Sequence, residues 1–327
     1  MVGYKLRIPP VHESGRRRIL VGLVVLTVMG GGAGCAETRK HPDSSARSAI
    51  AATVPAGITR TVQLGDRPFK LHVPKKYDPG RAASLVVALH GFGADADRMA
   101  SRLGLTAASE ERAFLLALPD GTKDSDGLQF WNATDACCNV EGADVDDSRY
   151  LSDVIDAVSD AYAVDRARVF VIGISNGGFM AHRLACDHAD QLASIVSLAG
   201  AQSADPAACN PTRAVSVLEV HGSEDDTVLF EGGRSQGHRY PSVAETVSDW
   251  RRLDGCDDRP GTKGARLDVD VALPGAETVP TSWSTGCAHS TEVALWKVYG
   301  GGHVPDFGPG FTSDILDWLD THARMAG

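Results

Sequence analysis

Ser175 lies within Gly173-Ile174-Ser175-Asn176-Gly177-Gly178, between an apolar run and a helical pattern. A serine on so tight a turn has strained backbone angles and close neighbours. Glycines on both sides avoid clashes and let the hydroxyl project into a cleft. The bland alternative is a Gly-rich turn. A serine hydroxyl is a weak nucleophile at neutral pH and needs a base. His303, at the end of Gly300-Gly301-Gly302-His303, is the expected base, because the Gly run lets the ring reach over neighbouring loops. The base needs a carboxylate to hold its tautomer and stabilise the imidazolium. His221-Gly222-Ser223-Glu224-Asp225-Asp226 offers three. Asp225 is expected, with Asp226 as the alternative. A solvated acidic loop is the other reading of this run.

Acyl transfer through a serine puts negative charge on a carbonyl oxygen. Preorganised N–H donors at that position contribute roughly 10²–10³ in rate each. The backbone N–H of Asn176 is one expected donor. The second is expected from His90-Gly91-Phe92-Gly93, at Phe92 or else Gly91. His90 itself reads as a structural loop residue. Trp131 is expected either to wall the pocket and bind substrate or to pack in the core. Asp146 and Asp147 read as helix-capping acids, which favour the helix dipole. Asp124 and Asp126 echo half a calcium loop without its downstream Glu, so no metal is expected. Rossmann and Walker patterns are absent from the sequence, and no cofactor is expected.

These residues need elements to hold them. Phe69–Val73 alternates like a strand, and Leu85–Leu89 is a continuous apolar run typical of a buried parallel strand. Further strands are expected at Phe114–Leu118, Val169–Ile172, Ile195–Leu198, Val215–Val220 and Val293–Val298. Helices are expected at Ala94–Arg112, Asp146–Tyr162, Gly178–Cys186 and Phe311–Met325. Strand–helix alternation of this kind implies a mostly parallel sheet covered on both faces, an α/β class. Residues 254–290 look like an irregular insertion.

The beginning of the chain reads differently. Arg16, Arg17 and Arg18 precede an apolar run from Ile19 to Met29, too short for the roughly 20 residues of a membrane span. Small residues and Cys35 follow. Residues 1–35 are therefore expected to be an export signal, with Cys35 a candidate lipid anchor and membrane tether. Residues 36–58 read as a flexible linker and 59–327 as one domain. Residues 1–35 carry five basic groups and one acidic group, so their removal takes the formal net charge from −10 to −14. That acidity disfavours nucleic acid as a partner. Six cysteines remain, an even count that reads as disulfides in an exported chain. Cys256 is expected to bond Cys287, because both flank the insertion. Cys137 and Cys138 are expected to bond two different partners.

The set LHGFGAD (89–95), ACCN (136–139), GISNGGFMAHRLAC (173–186), HGSEDDTV (221–228) and GGGH (300–303) resembles a known group. It is similar to secreted esterases grouped as polyhydroxybutyrate depolymerases, feruloyl esterases and acetylxylan esterases. The resemblance covers roughly residues 60–325. It implies an α/β-hydrolase fold, in which Ser, acid and His follow in that order. It also implies a serine carboxylic-ester hydrolase acting on small or polymeric esters, and it favours Asp225 over Asp226. Two departures stand out. Phe230-Glu231-Gly232-Gly233 replaces a tyrosine-containing motif, and His303-Val304-Pro305 lacks the usual Trp-Pro. The second leaves the chemistry intact and implies a different pocket there. An acyltransferase on the same fold and a noncatalytic binding module are the alternatives.

Overall fold

Leu85, Val87 and Leu89 face one apolar layer while Val86 and Ala88 face another, so this strand must be buried on both sides. The computed structural model describes residues 53–324 and places it accordingly. In chain order the elements are β1 (Ile58–Val62), β2 (Phe69–Val73), β3 (Ala83–Leu89), α1 (Ala96–Arg102), α2 (Leu105–Arg112) and β4 (Leu115–Pro119). A small ribbon follows, β5 (Thr122–Lys123) with β6 (Gln129–Phe130). Then come α3 (Asp147–Ala161), β7 (Val164–Ile174), α4 (Asn176–Asp187), β8 (Ser194–Leu198) and β9 (Ser216–Gly222). A second ribbon, β10 (Gly233–Ser235) with β11 (His238–Tyr240), precedes α5 (Val243–Leu253). The chain continues through β12 (Thr262–Lys263), β13 (Thr278–Trp283), β14 (Val293–Val298) and α6 (Phe311–Thr321).

One ten-stranded sheet runs in the order β1-β2-β4-β3-β7-β8-β9-β14-β13-β12. The six strands from β4 to β14 are mutually parallel, and antiparallel strands extend both edges. One apolar layer packs α3, α4 and α5 on the sheet, through residues such as Leu151, Phe179 and Trp250. The other packs α1, α2 and α6, through Met99, Leu105 and Phe311. The expected α/β sandwich is present. Its parallel strands all point their carboxyl ends, and the loops that follow them, to one rim.

Several expectations need correction. The helix expected over 94–112 is two, because Gly104 adopts a left-handed φ of 59° and breaks it. The insertion at 254–290 is not wholly irregular, since β13 lies along β14 over six residue pairs. Ordered packing begins before residue 59. Val54 is buried and its N–H donates to the Tyr162 hydroxyl, so the linker does not extend to 58. The expectations for residues 1–35, including Cys35, lie outside the described residues.

Cys256 and Cys287 are bonded, and Cys186 bonds Cys209. Cys137 and Cys138 bond each other, against the expectation of two separate partners. The physical reason is local. The chain is turned here, with Cys137 N–H donating to Thr134 O, so the adjacent side chains do not point to opposite faces as in a strand. The other four cysteines also satisfy one another.

Candidate active site

Ser175 sits between β7 and α4 with φ 55° and ψ −117°, a region costly for a residue with a side chain. The turn is fixed from below, because Ser175 N–H donates to Leu198 O at 2.7 Å. It also requires two glycines. A Cβ at Gly173 would fall 2.0 Å from Gly177 O, and one at Gly177 would fall 2.3 Å from Leu89 O. Gly91 approaches from the other side, where an added Cβ would lie 3.4 Å from Ser175 Cβ.

The Ser175 hydroxyl donates to His303 Nε2 at 2.8 Å, and His303 Nδ1–H donates to Asp225 Oδ2 at 2.8 Å. An ionised carboxylate can only accept, which places the ring proton on Nδ1 and leaves Nε2 free to accept. Asp225 Oδ1 accepts from the N–H groups of Thr227 and Val228, both at 2.8 Å. Burial pushes the Asp225 carboxyl up. Hydrogen bonds from His221, His303 and the Thr227 N–H outweigh burial and hold it well below the carboxylate range. Asp226 is exposed and accepts from the Thr227 hydroxyl. Glu224 is exposed as well. The structure thus brings Asp225, and neither neighbour, to His303.

The loops bearing these residues are bonded to each other. Gly300 N–H donates to Ser223 Oγ at 2.8 Å, and Glu224 N–H donates to Gly301 O at 2.9 Å. The late insertion supports the His303 loop from outside. Val271 N–H donates to Asp306 O, Gly308 N–H donates to Val269 O, and Asp306 N–H donates to Asp270 Oδ1. Glu277 Oε1 in turn accepts from the N–H groups of Val269 and Asp270. Sequence reading did not find Asp270 or Glu277. Isolated carboxylates in a loop carry no signal of what backbone they will meet.

A second set that sequence reading missed lies beneath Asp225. Glu219, His221 and His182 are all buried, on β9 and α4. The available signal was Glu219 itself, a charge inside the apolar strand Ser216-Val217-Leu218-Glu219-Val220. Burial pushes the His221 ring down, but hydrogen bonds to Asp225 and Glu219 raise it to about 9. Burial pushes Glu219 up, and hydrogen bonds from His182 and His221 reverse this and hold it low.

Phe92 lines the cleft beside Ser175, and Asn176 opens α4. As the first helical residue, Asn176 has an N–H without an intrahelical partner. Trp131 does not line the cleft, contrary to the substrate-binding expectation. Its indole is fully buried, and its Nε1–H is satisfied by His90 O at 3.0 Å. Its backbone is tied to the Asn176 side chain: Trp131 N–H donates to Oδ1 at 2.7 Å, and Nδ2 donates to Trp131 O at 2.9 Å. Trp131 therefore braces the two loops nearest Ser175. His90 is buried and structural, since its Nε2 accepts from Gly121 N–H at 2.9 Å. Asp146 caps α3 by accepting from Arg149 N–H. Asp147 accepts from Asn132 N–H and pairs with Arg67 at 2.7 Å, anchoring the segment after Trp131.

A cleft of about 700 Å³ opens over Ser175 and His303. Its walls are the 90–94 loop, the α1 face from Asp95 to Arg102, and Val304. The arrangement holds a hydroxyl, a base and an acid in one line at the floor of an open cleft.

Comparisons with known proteins agree with this layout. A family model described as phospholipase/carboxylesterase matches residues 75–249. "Putative esterase NocK" of Nocardia uniformis subsp. tsuyamanensis is 31% identical over 279 residues, covering 81% of this chain and 76% of that protein. Feruloyl esterase B of Piromyces equi is 24% identical over 241 residues, covering 71% of this chain and 41% of that protein. An acetyl xylan esterase structure from Aspergillus awamori has a TM-score of 0.60 at 18% identity, covering 81% of this chain and 99% of that one. At that identity the likeness speaks for the fold.

Proposed function

The chain belongs to the phospholipase/carboxylesterase family of α/β-hydrolases, and from that premise we propose that it is an exported serine carboxylic-ester hydrolase. Ser175 is the nucleophile, His303 the general base and then general acid, and Asp225 the residue that orients His303. The observation that carries this reading is His303, with one ring nitrogen 2.8 Å from Ser175 Oγ and the other 2.8 Å from Asp225.

The reaction follows from that line of contacts. Ser175 Oγ attacks the ester carbonyl as His303 Nε2 takes its proton. The oxyanion is held by the backbone N–H groups of Asn176 and Phe92, donors that need no reorganisation as charge develops. His303 then protonates the departing alkoxide, leaving an acyl group on Ser175. Water enters, gives its proton to His303, and releases the acid as Ser175 recovers its own proton.

Export belongs to the same reading. Residues 1–35 act as the signal, and Cys35 is the attachment point if that signal is of the lipoprotein type. Three disulfides among the described residues fit an oxidising compartment. The relative named as a feruloyl esterase favours feruloyl esters, with acetylated xylan and hydroxybutyrate polyesters as the competing classes. Turnover of feruloyl esters, acetylated xylan and hydroxybutyrate oligomers by the purified protein tests this. Hydrolysis of none of these, nor of p-nitrophenyl acetate, contradicts it.

A further inference from the structure

We propose that His221 is a buried imidazolium, held by Glu219, that acts as the positioning residue for Asp225. This rests on the triad reading above and extends it one layer inward. His221 Nδ1 lies 3.0 Å from Glu219 Oε1. Its Nε2 lies 2.8 Å from Val228 O and 3.3 Å from Asp225 Oδ2. A carbonyl oxygen only accepts, and so does an ionised carboxylate, so both ring nitrogens need a proton.

The other arrangement would place that proton on Glu219, and the next residue argues against it. Trp250 Nε1–H can only donate, and it lies 2.9 Å from His182 Nδ1. His182 therefore carries its proton on Nε2, which donates to Glu219 Oε2 at 3.1 Å. Glu219 thus already accepts a hydrogen bond at Oε2, which stabilises its ionised form and favours leaving the proton it shares with His221 on the ring. The raised His221 ring and the lowered Glu219 carboxyl agree with this assignment.

The surroundings leave little else to share the charge. Facing His221 are Glu219 from its own strand and Asp225 from the following loop, while His182 from α4 meets the other oxygen of Glu219. The Phe230 ring meets it edge-on, and Lys297 on β14 pairs with it in register while its Nζ sits 4.2 Å from the centre of that ring. Without the imidazolium, Glu219 and Asp225 would be two buried carboxylates in one core, which is costly. With it, the Asp225 charge is partly offset from below. Its pull on the proton of His303 is weaker, and Oδ2, the oxygen that His303 meets, is held from below by the same ring.

The test combines a spectrum and a pH profile. In ¹⁵N-histidine-labelled Ser175→Ala protein, His221 should show both ring nitrogens protonated from pH 6 to 8, with no turnover required. A neutral His221 ring in the folded protein at pH 7 overturns the proposal. In kinetics, His221→Gln keeps a hydrogen-bonding side chain but no charge. It should lower kcat by about 10-fold or more, leave KM nearly unchanged, and move the acid limb of kcat/KM up by about one pH unit. Glu219→Gln should move the limb in the same direction, while Glu219→Asp, which keeps the charge, should hold it near the wild-type position. Unmoved limbs in both neutral variants, with folded protein, would reduce His221 to packing. Activity surviving in Ser175→Ala would instead sink the triad reading and leave the His221 spectrum standing.

Discussion

The Asn176 side chain and the Trp131 backbone form a reciprocal pair, Trp131 N–H to Oδ1 at 2.7 Å and Nδ2 to Trp131 O at 2.9 Å. The contact spans 45 residues and is fully buried. It ties the turn that carries the nucleophile to the segment that supports the 90–93 loop. Asn176→Ala keeps the backbone N–H assigned to the oxyanion but strips the side-chain bonds to Trp131. The expected result is a fall in kcat of about 10-fold to 100-fold and a stability loss of about 1–3 kcal/mol, because Trp131 is left with unmatched backbone groups. Thermal melts and steady-state kinetics on the same preparation check both.

Asp225 and Asp226 are neighbours with opposite environments. Asp225 touches His303 and is buried, whereas Asp226 is exposed. Asp225→Asn should cut kcat by about 10⁴, since the wrong ring tautomer is then favoured. Asp226→Asn should leave kcat within about twofold. The reverse ranking would move the acid to Asp226.

These two carboxylates also show how far the sequence could be read. The strand–helix alternation, the turn around Ser175 and the Gly run before His303 announce themselves, because steric demands there leave few residue choices. Three adjacent carboxylates competed by type; Asp225 was expected over Asp226, and the family resemblance strengthened that choice. Trp131 could not be placed, since an aromatic residue near a strand end suits a pocket wall and a core equally. Its position depends on Asn176, 45 residues away. The mutual bonding of Cys137 and Cys138 depends on a local turn with no clear signature. Glu219, His221 and His182 become a group only when β9 and α4 pack together.

Asp254 is fully buried at the end of α5. Its Oδ1 accepts from Val215 N–H at 3.2 Å, while Oδ2 has no partner within the described chain. Burial raises its carboxyl from 3.8 to about 7. A folded value above the unfolded one means a contribution that is whole below pH 3.8 and lost as pH rises through about 7. Asp254→Asn removes the ionisation. The variant should gain of order 1 kcal/mol over wild type at pH 8, and that gain should vanish near pH 4. Melting curves at the two pH values decide it, and an equal effect at both would contradict the assignment.

The Cys256–Cys287 bond closes 31 residues between α5 and the approach to β14. On chain-entropy grounds its loss should cost about 3–4 kcal/mol. That segment also supports the His303 loop through Asp270 and Glu277. Cys256→Ser/Cys287→Ser should therefore lower the melting temperature and reduce kcat together. A large melting shift with unchanged kcat would show that the insertion stabilises the fold without bracing the base.

The central claim is that Ser175 carries the acyl group. Intact-mass analysis after treatment with a fluorophosphonate tests it most directly, on wild-type and Ser175→Ala protein in parallel. One adduct on the wild type, mapped to the peptide containing Ser175, is expected. The variant should show none and should lose p-nitrophenyl acetate hydrolysis by about 10⁴ or more. Labelling and hydrolysis that both survive in folded Ser175→Ala would contradict the account.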